Sequence, residues 1–187
     1  MKLSVQQYTF RPWSNQDGLF PVLERISAMG YTGLEMCCFG GFEPLGMGAR
    51  ELKSRLADLG ISMIGNHFTR EMFLGSHEEA FAYIAEAGGR YGFYNIWGSY
   101  DSTDEVLRKA DYLNGLAEIA QKEGITLLYH NHGAEFVSLD GKLIIDRLGK
   151  HWIPGFSSSM MCSLPSSRTA MCMPICRTTR IGYAQCI

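Results

Sequence analysis

The chain has 187 residues, of which 46% are hydrophobic and 19% charged, with a formal net charge of −2 at pH 7. That composition suits one globular domain with a real core and excludes attraction to phosphate backbones or anionic lipid by bulk charge. The N-terminus, MKLSVQQYTFRPW, turns polar too soon for a secretory leader, and no apolar run approaches the ~20 residues of a membrane span. A cytoplasmic location is therefore expected, with neither membrane nor nucleic acid as a partner.

Taken in order, KLSVQQY reads as a short strand. LFPVLERISAMG places Leu19, Val22, Leu23 and Ile26 on one helical face and stops at Gly30. YTGLEMC is a second strand. ARELKSRLADLG is a helix with Leu52, Leu56 and Leu59 on one side, closed by Gly60. ISMIGNHF is a third strand, and SHEEAFAYIAEAGG a helix capped by Ser76. YGFYNIWG is a fourth strand, followed by the long amphipathic helix STDEVLRKADYLNGLAEIAQKEG, which ends on Gly124. ITLLYHNH is a fifth strand, and LDGKLIIDRLG a fifth helix.

Strand and helix thus alternate, which requires parallel strands joined by crossover helices. Either an open doubly wound sheet or a closed (β/α)8 barrel fits. The first strand–helix turn, YTFRPWSNQDG, lacks the Gly-x-Gly-x-x-Gly that cradles a dinucleotide. Polar or aromatic residues follow the strand ends instead: Tyr8, Glu35, His67, Trp97, and His130 to Glu135. In a barrel those ends share one rim, where chemistry sits. The expected fold is therefore α/β, a partial TIM barrel of about five βα units over residues 1–152, followed by an irregular tail over 153–187.

That tail has a different character. It contains no Asp, Glu or Lys, yet it holds four of the six cysteines and four of the ten methionines. Met160-Met161-Cys162 must be encoded ATG-ATG-TGY, and read one base earlier those bases give Asp-Val. Ser157 to Ser159 can give Gln-Leu-Glu in the same shifted frame, which completes a plausible sixth strand, Phe-x-Leu-Glu-x-Asp-Val. The expectation is a shift of frame near Phe156. A genuine Cys-rich tail and a zinc knuckle compete with it, although Cys162, Cys172, Cys176 and Cys186 lack the two tight Cys-x-x-Cys pairs of a zinc site.

The fifth strand ends in the densest polar cluster, YHNHGAEF. Strand alternation puts His130 and His132 on one face and Tyr129 and Asn131 on the other. Gly133 permits a sharp exit, leaving Glu135 in the loop at the rim, where a carboxylate can bind a divalent cation. Histidines that merely bond neighbouring strands, and a glutamate that caps a loop, are the competing reading.

LLYHNHGAEF resembles the Tyr-His-Asn-His-x-x-Glu-Phe signature of sugar phosphate isomerase/epimerase proteins with the xylose isomerase-like TIM barrel. LSVQQYTFR is similar to that family's first strand, GYTGLEM to its second, and LADLGISMIGNHF to its passage from second helix to third strand. The resemblance spans residues 2–155. It implies a divalent metal (manganese, magnesium, cobalt or zinc) held by Glu, Asp, His and Glu from later strands. That metal would polarise a ketose carbonyl while carboxylates move a proton on the adjacent carbon. Glu135 matches the first ligand and is the expected catalytic residue. Glu35, His67, Trp97, His130 and His132 are the expected substrate-binding residues, with a salt bridge for Glu35 and packing for His67 as alternatives. Trp97 and Tyr8 could stack on a sugar face. The other ligands are missing: Asp140 and Asp146 fall on the fifth helix, where no ligand belongs.

The resemblance implies an isomerase or epimerase acting on a small sugar or polyol, impaired by truncation. A catalytically inactive barrel fragment is one alternative. A metal-dependent abasic-site endonuclease is another, disfavoured because 14 basic residues face 19 acidic ones in residues 1–152. Self-association through an open sheet edge is a further expectation.

Overall fold

The computed structural model describes residues 3–37, 46–68, 76–96 and 98–152, and the backbone of 157–159. Six strands form one parallel sheet: β1 (Ser4–Gln6), β2 (Gly33–Cys37), β3 (Ser62–His67), β4 (Tyr91–Tyr94), β5 (Thr126–His130) and, last in the chain, β8 (Ser157–Ser159). Their order across the sheet is β1-β2-β3-β4-β5-β8, the order in which the chain makes them. A doubly wound sheet reverses order at a switch point; this one never does. Sequential parallel strands with right-handed crossovers put every helix on one face, which is the winding of a TIM barrel.

The crossover helices are α2 (Leu19–Ala28), α3 (Ala49–Asp58), α4 (His77–Glu86) and α5 (Thr103–Lys122). All four end in one way. Gly30, Gly60, Gly88 and Gly124 follow the C-cap with φ between 68° and 95°, a region that costs glycine least. The next residue's amide reaches back into the last turn, as in Tyr31 to Ile26, Ile61 to Leu56, Gly89 to Ile84 and Ile125 to Ala120. This is a Schellman closure, and it turns the chain directly into the following strand. At the starts of α4 and α5, Ser76 and Ser102 accept from the amides of Glu79 and Glu105 at 3.3 and 3.2 Å. The core lies between sheet and helices, where Leu23, Leu34, Met36, Leu52, Leu56, Phe81, Ile84, Leu113 and Leu127 are essentially inaccessible.

Two elements differ from the sequence expectation. The first strand–helix turn contains its own helix, α1 (Arg11–Asp17), which buries none of its residues. The expected fifth helix over LDGKLIIDRLG is in fact a hairpin, β6 (Ser138–Leu139) with β7 (Lys142–Leu143), followed by α6 (Ile144–Lys150). Asp140 (φ 48°) and Gly141 (φ 74°) make the two-residue turn, the positive-φ pair that an Asp-Gly type I′ hairpin uses. Asp140 thus lies on a turn and not on a helix. In the tail, residues 157–159 pair parallel to β5, with Leu128 opposite Ser157 and His130 opposite Ser159. The remaining expectations for the tail, its cysteines included, fall outside the described residues.

Candidate functional site

Register explains which side chains meet. Gln6 on β1 lies opposite Glu35 on β2, Glu35 opposite Gly65 on β3, and Cys37 opposite His67 at the end of β3. Gln6, Glu35 and His67 therefore project from adjacent strands near their C-terminal ends. Gln6 and Glu35 are 5% and 3% exposed. The Gln6 amide donates to Glu35 Oε1 at 2.5 Å and lies 3.0 Å from His67 Nε2. His67 Nε2 also contacts Glu35 Oε1, which joins imidazole and carboxylate directly. Glu35 thus meets His67, another of the expected site residues.

The cluster extends across the sheet through rings. His67 stacks on Phe93 of β4, with centroids 4.6 Å apart. The His130 ring meets His67 edge-on at 4.7 Å and His132 at 4.8 Å. His132 Nδ1 in turn lies 2.7 Å from Asn95 Nδ2. His130 is 7% exposed, and among the described residues its Nδ1 has no hydrogen-bond partner. Burial, then the neighbouring His67 and His132, push its pKa down to about 3, against the opposing pull of Glu35. His130 is therefore a neutral imidazole near pH 7, with a buried nitrogen inside the cluster.

Glu135 occupies a different environment. It lies in the 3-10 turn Ala134–Phe136 after β5 and is 1% exposed. Its Oε1 accepts from Tyr129 at 2.6 Å and lies 3.2 Å from the Tyr100 hydroxyl, while its Oε2 accepts from the His132 backbone amide at 2.8 Å. Gly133, expected to make the sharp exit, has φ −73° and ψ −26°, so it does not use glycine's special freedom. Tyr8 is exposed beneath the Arg11 guanidinium, 4.5 Å from the ring centroid. Trp97 lies outside the described residues.

Whether these groups fit a divalent metal follows from the donors. Among the described residues, no three His, Cys, Asp or Glu side chains are gathered where a metal could be held. Asp140 accepts from Thr103 on the surface, and both oxygens of Glu135 already accept hydrogen bonds. The described residues do not fit the implied metal. The structure brings Glu35, His67, His130 and His132, all singled out in the sequence, into one cluster. Sequence reasoning gave no role to Gln6, Asn95 or the tyrosine pair Tyr100–Tyr129, whose roles depend on contacts 29 or more positions apart.

No family model and no curated protein sequence matches the chain. Solved structures do. A sugar phosphate isomerase/epimerase from Parabacteroides distasonis superposes with a TM-score of 0.71 at 22% identity, over 84% of this chain and 64% of that one. A xylose isomerase-like TIM barrel/4-hydroxyphenylpyruvate dioxygenase fusion protein gives 0.61 at 19%, over 84% and 26%. The IolI protein, solved with a bound zinc atom, gives 0.54 at 13%, over 70% and 51%. The chain spans about 64% of the length of the Parabacteroides protein. These likenesses establish the fold, and at least one protein that shares it binds a metal. The chain has the α/β architecture of a partial xylose isomerase-like TIM barrel.

Proposed function

We propose that the cluster at the ends of β1, β2, β3 and β5 is a site for proton transfer beside the carbonyl of a small sugar or polyol, the chemistry of a sugar isomerase or epimerase. The observation that carries this reading is the direct contact of the buried Glu35 carboxylate with the His67 imidazole, with Gln6 fixing the carboxylate. A carboxylate held by two donors and joined to an imidazole can take a proton from carbon and hand it on. Removal of the C–H proton leaves an enediolate. Return of a proton to the same carbon from the other face epimerises the sugar, and return to its neighbour isomerises it. His130 and His132 line the same cluster and supply hydrogen bonds to hydroxyl groups. The likeness to a sugar phosphate isomerase/epimerase supports the substrate class.

Incubating the chain with a panel of ketopentoses and ketohexoses in D2O, and following the proton beside the carbonyl by 1H NMR, tests the proposal. Exchange above the buffer rate is expected, and Glu35→Gln should lower it by about 100-fold, the lower end for losing a general base. Exchange no faster than buffer for every sugar, or equal exchange in Glu35→Gln, would refute it.

A further inference from the structure

We propose that Glu135 is a positioning residue: it locks the exit of β5 to the tyrosine pair Tyr100–Tyr129, fixes His132 in the histidine cluster, and does not act as a metal ligand. This goes beyond the sugar reading, because it concerns how the cluster is built, whichever ligand it takes. The first support is directional. Tyr129 and His130 are consecutive on β5, so their side chains leave on opposite faces. His130 faces the cluster, whereas Tyr129 packs toward Trp152 at 5.9 Å. Glu135 follows Tyr129 and is therefore turned away from His130.

The second support is the proton count. Two phenols offer two protons for three contacts. Tyr129 gives its proton to Glu135 Oε1 at 2.6 Å, and Tyr100 gives its proton to the Tyr129 oxygen at 2.8 Å, closer than its 3.2 Å to Glu135. Burial is the largest influence on both phenols and holds them well above the ordinary tyrosine range, so both stay donors. The remaining oxygen, Oε2, holds the His132 amide. His132 is thereby pinned at two points, its backbone by Glu135 and its ring by Asn95. A metal on Oε1 would have to share that oxygen with the Tyr129 donation in a fully buried setting.

Long-range 1H–15N spectra of the histidine rings in the 15N-labelled full chain test this without any need for turnover, so a failed sugar assay leaves the outcome readable. Loss of signals in His132→Asn assigns the residue. With Asn95 donating to Nδ1, the Nε2–H tautomer of His132 dominates in the wild type. Glu135→Gln should move the His132 signals toward the tautomer average. Tyr129→Phe, which removes one oxygen and serves if Glu135→Gln does not fold, should do the same. Leu23→Ala, which destabilises the core from α2, should leave those signals in place. Zinc and manganese titrations should show Glu135→Gln losing no more affinity than the roughly 10- to 100-fold that an outer-shell partner costs, or no binding in either protein. A loss of affinity well beyond roughly 100-fold, or His132 signals unmoved in both variants, would overturn the proposal.

Discussion

His130 shows how a single side chain couples the cluster to pH. Its folded pKa is depressed to about 3, whereas an unfolded histidine titrates near 6.5. Between those values the unfolded chain binds a proton that the folded chain refuses. Stability therefore falls as pH drops through that window, by at most about 1.4 kcal/mol per pH unit, and His130 contributes no pH dependence above it. Burial is the main cause, and the charges of His67 and His132 add to it while Glu35 opposes it. Urea midpoints measured from pH 7 down to pH 4 should fall less steeply for His130→Gln than for the wild type. Parallel curves would mean that His130 takes up its proton in the folded state without penalty. The histidines and Glu35 were legible in the sequence because strand ends and side-chain alternation are local properties. Gln6 stood only as the Gln of the Gln-x-Tyr in the first-strand resemblance, with no role; the register between β1 and β2 sets it against Glu35. Nor did the sequence show that Glu135 turns back toward Tyr129, because that is set by how the 3-10 turn Ala134–Phe136 leaves β5.

At the scale of elements, helices that bury a face were legible and the helix that buries nothing was not. In α2, α3 and α5 apolar residues recur at helical spacing and a left-handed glycine follows. By contrast α1 has no buried side chain, so it leaves no periodic trace. The β6–β7 hairpin was hidden by its size, two residues a strand, although Asp140-Gly141 is a strong turn signal. Close strand approach gives a sharp test of register. A Cβ added at Gly65 would lie 2.2 Å from the Tyr91 carbonyl oxygen, and backbone in a paired strand cannot yield cheaply. Gly65→Ala should destabilise the protein by about 3 kcal/mol, the upper end for overpacking. Ser102→Ala, which removes the cap of α5, should cost about 1 kcal/mol. Urea denaturation reads both, and a Gly65→Ala midpoint equal to the wild type's would contradict the β3–β4 register.

For the whole molecule, what matters is where the sheet stops. Among the described residues, β1 pairs only with β2, and β8 only with β5. No further strand among the described residues pairs with either outer edge. A closed barrel removes such edges, and a TIM barrel closes with eight strands, whereas six are described here. The Ser-Val-Gln of β1 carries neither charge nor proline, the usual guards of an exposed edge. We therefore expect copies of the chain to associate edge to edge. The hydrophobic core between sheet and helices forms independently of that contact, so association should depend on concentration while the helical content stays constant. Sedimentation velocity across a wide concentration range should show the average mass rising. Hydrogen–deuterium exchange should slow at residues 4–6 and 157–159 over the same range, and should not change in the central strands β3 and β4, which are paired on both sides. A single monomeric species throughout, with exchange at β1 and β8 independent of concentration, would show that both edges are covered within one molecule.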